Sequence, residues 1–496
     1  MLPVLTPAEM GEADRRAIAS GTPEAALIER AGTAVAWAVR VSLGGTYGRR
    51  AVVVCGKGNN GADGHVAARK LRAWGVGVDE FSLAGGIDRS QFERSLARAD
   101  VAVDAMFGTG FRGTLDGDPA WIASMLADDP CLVVAVDIPS GVDGTTGFDH
   151  GISVDADVTV CFAALKPGLL FEPGRLRAGV VDVVDIGIPV TSNTHVFERD
   201  DVFMLAGQLR PPENHKWSSG LMVIGGSTGM IGAPMMTSHA AARCGAGMVV
   251  CGLPGHDAAA RASGTEVVVR ALPATDDGVL IEAAADAILE GAERFRAIAI
   301  GPGLGRDART QRAVQRVVAE APNQLVVDAD GLNALAADPS ALERRRAAGL
   351  PPAVLTPHEG EYERLAGLRL EPGYDRLEAA RSLAERTGAV VLLKGPGTVV
   401  ADPVGGECMI NTTDIPALAT AGTGDVLTGM IGGLLAAGVG ARAGGNVRPE
   451  WAAAAGAWLH GTAARLAGTG DSLVASDLIA ALPRTLSVLA GASEEE

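Results

Sequence analysis

Polar and apolar positions along this chain fall into two alternating textures, short β-branched runs and longer segments with helical spacing. Near the N-terminus, Thr6-Pro7-Ala8-Glu9 supplies a hydroxyl cap, a proline at the first helical position and a carboxylate three residues after the cap, which predicts a helix start. A second helix is predicted from about Pro23, where Leu27, Ile28, Ala31, Val35 and Ala38 recur at helical spacing. Runs at Ala51–Cys55, Val101–Asp104 and Leu132–Asp137 then alternate with helix-length segments such as Val66–Trp74 and Ser90–Ala99. Continuous apolar runs alternating with helices imply parallel strands covered on both faces. Val180–Ile186 reads as a closing strand, and the stretch from Gly187 to about Gln208 has no strong periodicity, so a domain boundary is placed near residue 208. Beyond it the alternation restarts with Leu221–Ile224, Met248–Cys251, Ile298–Ile300, Leu325–Asp328, Val354–Leu355 and Val390–Leu393. The expected fold class is α/β: a three-layer, Rossmann-like domain over residues 1–208 and a second α/β domain over 209–496.

Composition narrows the partners. The chain has 496 residues, 47% of them hydrophobic and 20% charged, enough apolar surface for two or three packed domains. Lys plus Arg number 42 against 59 Asp plus Glu, a formal charge of −17, which excludes a surface wrapped by nucleic acid. Any anionic ligand must be held locally, by backbone amides and a few cations. Six well-separated cysteines with no CxxC pair fit a reducing cytoplasm, and acidic residues at Glu9, Glu12 and Asp14 leave no export signal in the opening stretch. The uncharged run from Val426 to Ala441 is shorter than the roughly 20 residues of a membrane span and is expected to be a buried helix, so no membrane partner is expected.

Three strand ends in the first half carry polar, glycine-rich loops. After Ala51–Cys55, Gly56, Gly58 and Gly61 satisfy the dinucleotide pattern GxGxxG, and Asp79 lies where such a site keeps its ribose-binding acid. Asn59, Asn60 and Asp63 argue otherwise, because a carboxylate at a helix N-terminus weakens pyrophosphate binding. The loop suits a cation and polar groups better. The next loops are DAMFGTGFRG, from Asp104 to Gly113, and DIPSGVDG, from Asp137 to Gly144. Oxygens of Asn60, Asp104 and Ser140 could surround a hard cation, and Asp137 is an ionisable group for acid/base work. The plainer alternative is that Asp104 and Asp137 merely cap their strands.

The combination GNNGxDG, DAxFGTGxxG and DIPSGVDG, followed by Lys166-Pro167-Gly168 and VDIGIP from Val184 to Pro189, resembles the NAD(P)H-hydrate epimerase domain of the YjeF N-terminal type over residues 1–205. The resemblance implies that Asn59, Asn60, Gly61, Ala62 and Asp63, then Gly108, Thr109, Gly110, Phe111, Arg112, Gly113 and Thr114, together with Asp137, hold a hydrated nicotinamide nucleotide. It also implies potassium at Asn60, Asp104 and Ser140. Asp137 is then the candidate acid/base, with Lys166 either a second proton carrier or an ordinary surface lysine. The family usually has glycine where this chain has Ala62; at a positive φ alanine costs about 1 kcal/mol.

In the second half, Leu392–Val400 places Lys394 and two glycines in a loop between strand-like segments, giving exposed N–H groups and one cation for phosphates. Ala421–Gly438 joins a Gly-Thr-Gly-Asp turn to a glycine-rich apolar helix, whose N-terminus can cradle an anion within reach of Asp425. No GxxxxGK[ST] occurs, which excludes a P-loop, and no second histidine follows His358 at i+4, which argues against zinc. The Gly-x-Gly-Asp turn resembles the ribokinase-like fold and alone suggests a small-molecule kinase. With His215-Lys216, GGSTGMIGAP, GPGLG, DADGLN, TPHEGEYERL and KGPGT, the stretch 210–485 resembles the NAD(P)H-hydrate dehydratase domain. That resemblance implies ADP, with magnesium, at Lys394, Gly395, Pro396, Gly397, Thr398 and Gly424. It implies hydrated nicotinamide at Ala233, Gly303, His358 and Asp425, with Asp425 catalytic.

The expected function is repair of the NADH and NADPH hydrates by an epimerase and an ADP-dependent dehydratase, in a homo-oligomer. Two alternatives stand beside it. One is a ribokinase-like kinase fused to a nucleotide-sensing domain; the other is a non-catalytic dinucleotide-binding protein whose first site Ala62 has spoiled.

Overall fold

The computed structural model describes residues 1–206, 215–262, 266–439 and 448–491. The boundary expected near residue 208 lies outside the described residues. Two compact units emerge: Leu2–Thr194 with Pro372–Asp375, and Met1, His195–Glu371 with Arg376–Glu496.

The first unit begins with α1 (Pro7–Ala19) and α2 (Glu24–Ser42). The cap of α1 forms as its sequence requires: Glu9 N–H donates to Thr6 Oγ1 at 3.3 Å and Thr6 N–H to Glu9 Oε2 at 2.7 Å. Then follow β1 (Arg50–Cys55), α3 (Asn59–Ala73), β2 (Gly77–Ser82), α4 (Arg89–Leu96), β3 (Val101–Ala105), α5 (Gly117–Asp128), β4 (Leu132–Val136), β5 (Val158–Phe162) and β6 (Val180–Val184). All neighbours are parallel, in the order β2-β1-β3-β4-β5-β6. Alternate strand residues divide the core into two layers. Val53, Val103 and Val134 pack with Leu27, Val35 and Leu71 of α2 and α3. Val52, Val54 and Ala102 pack with Phe92 and Ile122 of α4 and α5. The three layers follow from the period of two along each strand. Strand β5 escaped the sequence reading because an irregular stretch, not a helix, precedes it.

The second unit contains β7 (Gly220–Ile224), α6 (Gly232–Arg243), β8 (Met248–Pro254), β9 (Val268–Leu272), β10 (Ala297–Ile300), α7 (Ala308–Glu320), β11 (Gln324–Val327), α8 (Asp330–Ala337), β12 (Val354–Leu355), α9 (Glu359–Ala366), β13 (Val390–Leu393), β14 (Thr398–Ala401), β15 (Cys408–Asn411), α10 (Thr423–Ala437) and α11 (Pro449–Ala467). These strands lie in the order β15-β14-β13-β12-β11-β10-β7-β8-β9, parallel from β13 to β9, with β14 and β15 antiparallel at the other end. Helix α10 is buried along nearly its whole length, as its uncharged sequence implies. It approaches α6 so closely that a Cβ on Gly429 would stand 2.0 Å from the Thr237 carbonyl oxygen, so only glycine fits there. Among the described residues no helix is long and apolar enough to cross a membrane, and none of the six cysteines is paired.

Candidate functional sites

In the first unit the C-terminal ends of β1, β3 and β4 deliver their loops to one cavity of about 740 Å³, the crevice where open parallel sheets take ligands. Asn59, Asn60, Asp63, Gly108, Thr109, Gly110, Phe111, Asp137 and Lys166 line it; Gly61, Ala62, Arg112, Gly113 and Thr114 do not. Arg112 is exposed and donates to Phe111 O at 2.8 Å and to Thr145 Oγ1 at 3.3 Å. Asp79 sits within β2 and is also absent from the lining, so the dinucleotide fingerprint lacks its acid. Its glycines serve packing instead. A Cβ on Gly56 would lie 1.8 Å from Met106 O, and one on Gly61 2.0 Å from Gly56 O.

Ala62 lies in the first turns of α3, its N–H donating to Gly58 O at 3.1 Å, and has no positive φ. The strain expected of alanine at that position does not arise. Asp137 takes the left-handed conformation instead, with φ 67°. Its Oδ1 accepts from Lys166 Nζ at 2.6 Å and its Oδ2 from Thr109 N–H at 3.2 Å. Lys166 is no surface lysine: it is 1% exposed, and its Nζ also donates to Phe162 O at 2.9 Å. Burial alone would lower its pKa, but the charges of Asp137 and Cys161 and the Asp137 hydrogen bond raise it.

Asp104 is fully buried at the end of β3. Its Oδ2 accepts Ser140 N–H at 2.8 Å, while Oδ1 accepts Ser140 Oγ–H at 2.7 Å and Met106 N–H at 3.1 Å. Burial raises its carboxyl to about 6 against the pull of those donors. No described cationic side chain pairs with it. The Asn60 Nδ2 and Thr109 Oγ1 atoms are buried without hydrogen-bond partners. Gly108 gives Asn60 its room, since a Cβ there would lie 2.8 Å from Asn60 Oδ1. The buried Asp104 carboxylate, which no described cationic side chain meets, and the Ser140 hydroxyl beside it are oxygen donors that suit a hard cation, whereas the unsatisfied Asn60 Nδ2 is a hydrogen-bond donor that suits a ligand oxygen. Asp14 of α1 and Glu24 of α2 also border the cavity and were missed in the sequence, where they read only as polar positions on amphipathic helices.

In the second unit Asp425 stands in the first turn of α10 after Gly422, whose φ is 88°. Burial, assisted by the charge of Asp328, raises its carboxyl to about 6, with Lys394 opposing. Lys394 Nζ lies 2.9 Å from Asp328 Oδ1 and 3.7 Å from Glu361 Oε2, and Thr428 Oγ1 donates to Asp328 Oδ2 at 2.6 Å. A Cβ on Gly424 would come within 3.6 Å of Lys394 Nζ, so the two glycine-rich loops meet at that ammonium. Gly395 and Gly397 have φ of 142° and 68°, while Thr398 Oγ1 donates to Gly395 O at 3.0 Å and Pro396 is exposed. Gly303, with φ 67°, faces Ala233: a Cβ there would lie 3.3 Å from Ala233 Cβ. His358 caps α9, Nδ1 accepting Gly360 N–H at 3.1 Å and its backbone N–H donating to Glu361 Oε2 at 3.0 Å. Sequence reasoning missed His460 on α11, which is buried with Nε2 2.9 Å from Thr423 O and has its pKa pushed down to about 4 by burial. A neutral ring donating to that carbonyl helps fix the turn below Asp425.

Parallel sheets that twice gather buried carboxylates, an aspartate-paired lysine and glycine-rich loops at their strand ends define an α/β enzyme with a site in each unit. Residues 221–484 match the family model described as NAD(P)H-hydrate dehydratase, and residues 24–94 and 82–168 match that of the YjeF-related protein N-terminus. The chain belongs to the bifunctional NAD(P)H-hydrate repair enzymes. It is 39% identical to the enzyme of that name from Moorella thermoacetica, covering 97% of this chain and 96% of that one. It is 34% identical to the Escherichia coli enzyme, covering 88% and 85%. Among solved structures, the ADP/ATP-dependent NAD(P)H-hydrate dehydratase from Bacillus subtilis co-crystallized with ATP/Mg2+ is 32% identical, covering 60% of this chain and 100% of that one at a TM-score of 0.49. The protein repairs hydrated NAD(P)H, with an epimerase and a dehydratase in one polypeptide. The kinase alternative raised by Gly-Thr-Gly-Asp alone is thereby replaced.

Proposed function

We propose that the first unit interconverts the R and S hydrates of NADH and NADPH at Asp137, and that the second dehydrates the S form with ADP at Asp425. The dehydratase without the epimerase would leave the R half of a mixed hydrate unrepaired. The hydrate carries a hydroxyl beside the ring nitrogen, whose lone pair can expel it once the oxygen is protonated; water can return from the other face. The Asp137–Lys166 pair supports proton handling at that oxygen, and the unsatisfied Asn60 and Thr109 atoms support binding of a polar nucleotide. Asn60, Asp104 and Ser140 would hold potassium, whose positive charge would offset the buried Asp104 carboxylate and steady the loops around the ligand.

The convergence of Gly424, Lys394 and Asp425 carries the dehydratase reading. The α10 N-terminus and the Lys394 ammonium can hold phosphate oxygens of ADP, with Gly395 to Thr398 along the nucleotide. Asp425 takes the proton of the substrate hydroxyl, while Ala233, Gly303 and His358 border the nicotinamide. ADP with magnesium supplies, when bound, the phosphoryl chemistry that makes this hydroxyl a leaving group. Unpaired, mostly buried thiols support a reducing, cytoplasmic setting.

The test is incubation of the full chain with mixed R/S NADH hydrate, ADP and magnesium, following dihydronicotinamide absorbance and both epimers by chromatography. Full recovery of both epimers is expected. Recovery of the S half with R remaining would remove the epimerase assignment, and no recovery would remove the dehydratase assignment, with epimer exchange then read separately by chromatography.

A further inference from the structure

The first cavity holds two carboxyl groups in opposite circumstances. Asp137 is met by an ammonium and a backbone N–H. Asp63, on the cavity side of α3, is only 7% exposed and makes no side-chain hydrogen bond or ion pair with any described residue. A buried carboxylate without a partner is costly in its charged form, and the inexpensive state is the protonated acid. The groups around it reinforce this. Asp14 of α1 and Asp137 at the end of β4 present like charge; Lys166 is engaged with Asp137; exposed Glu24 and Lys57 border the same cavity. Burial, then the charges of Asp137 and Asp14, raise the Asp63 carboxyl to about 8. A protonated carboxyl and an ammonium-paired carboxylate in one cavity can serve as an acid and a base.

We propose that Asp63 gives its carboxyl proton to the departing hydroxyl of the hydrate, while the Asp137 carboxylate takes the proton of the water that returns to the opposite face. The inference rests on the reading of this cavity as the epimerase site. As the carbon–oxygen bond breaks, its electron pair leaves with the oxygen, which receives the Asp63 proton and departs as water. The ring-nitrogen lone pair closes a carbon–nitrogen double bond. A water lone pair then re-forms the carbon–oxygen bond, the double-bond electrons return to nitrogen, and the surplus proton passes to Asp137. The configuration is inverted and one proton has moved from Asp63 to Asp137, which leaves the pair set for the opposite epimer.

Asp63→Asn keeps the size and a hydrogen-bond donor but has no proton to transfer. It is compared with wild type and Asp137→Asn for exchange of R and S NADH hydrate without ADP; thermal unfolding reports folding of each preparation, and dehydration of the S form with ADP and magnesium reports an active second unit. The expected result for Asp63→Asn is a fall in epimerase kcat of about 100-fold or more, with KM within about threefold, as loss of a group acting only in the transition state requires. A kcat within about threefold of wild type, or a loss confined to KM, overturns the proposal. Should Asp137→Asn also exchange epimers at the wild-type rate, the site reading falls with it; should Asp137→Asn alone be inactive, only the role of Asp63 falls. Wild-type kcat gives an independent readout that needs no variant to fold: it should decline as pH rises through about 8, where Asp63 loses its proton, and a profile level to pH of about 9 overturns the assignment.

Discussion

Lys394 reaches from the loop after β13 to Asp328 at the end of β11, its Nζ 2.9 Å from Oδ1, with Thr428 of α10 donating to the other carboxylate oxygen at 2.6 Å. Asp328 is buried, yet its pKa is lowered: burial raises it, and the Lys394 charge with the Thr428 and Lys394 hydrogen bonds more than compensates. One carboxylate therefore ties Lys394 to the helix that carries Asp425. Asp328→Asn removes the nearer of two counter-charges and leaves the Lys394 ammonium with Glu361 at 3.7 Å, a change expected to cost less than the roughly 3 kcal/mol of a fully broken buried pair. The expected outcome is a lower Tm and a KM for ADP raised at least about tenfold (about 1.4 kcal/mol). Steady-state kinetics with thermal unfolding checks both, and an unchanged KM would detach Asp328 from nucleotide binding.

Asp425→Asn should abolish ADP-dependent dehydration while epimer exchange continues. The pH dependence follows from its pKa being raised to about 6 by burial and Asp328. A general base works in its ionised form, so dehydratase kcat should rise with pH through about 6 and level off above it. A rate that is flat across that window, or a fully active variant, would take Asp425 out of this role.

Asp137→Asn should slow epimer exchange by about 100-fold or more and also destabilise the first unit. Lys166 would be left 1% exposed without its anion, a loss of about 3–5 kcal/mol for a broken buried pair. Asp137→Asn combined with Lys166→Met removes both charges and should regain much of the Tm without regaining activity. Calorimetry and chromatographic exchange assays separate the two effects; a double variant as unstable as the single one would contradict the buried-pair account.

Potassium should support the first activity alone. Epimer exchange is expected to fall in potassium-free buffer and recover on titration with potassium chloride, whereas Asp104→Asn should be slow in both. Equal wild-type rates with and without potassium would count against Asn60, Asp104 and Ser140 as an ion site.

Stability should also respond to His460. Its pKa drops from an ordinary value near 6.5 to about 4 on burial, so the folded state resists protonation. The native chain keeps this contribution above about 6.5 and loses it as pH falls toward about 4. Tm measured from pH 7 to 4 should decline less steeply in His460→Gln.

Much of this was legible along the chain because local chemistry specified it. Thr6 and Glu9 gave the α1 cap, and β-branched runs marked β1, β3, β4 and most strands of the second sheet, whose terminal loops carry Asn60, Asp104, Asp137 and Lys394. Other features depend on residues far apart in sequence. Nothing near Asp328 announces Thr428, one hundred positions away, nor does the pattern around His460 announce the Thr423 carbonyl. Asp14 has the appearance of any polar residue on an amphipathic helix until the fold turns it toward Asp137 and Lys166. Ala62 illustrates the opposite error: a departure from a motif suggests strain, but the backbone there is helical, and the unusual conformation belongs to Asp137.

Thr237 of α6 donates toward both Ala233 O and Asp425 O at 3.0 Å, and Gly429 lets the two helix backbones touch at that level. Ala233, expected beside the nicotinamide, and Asp425, expected to move its proton, are thus mounted on one stiff frame. Interior packing resists small displacements, so a side chain added at position 429 shifts both together. A variant that widens this contact is therefore expected to displace both positions at once, and so to lower nicotinamide discrimination and dehydratase turnover together.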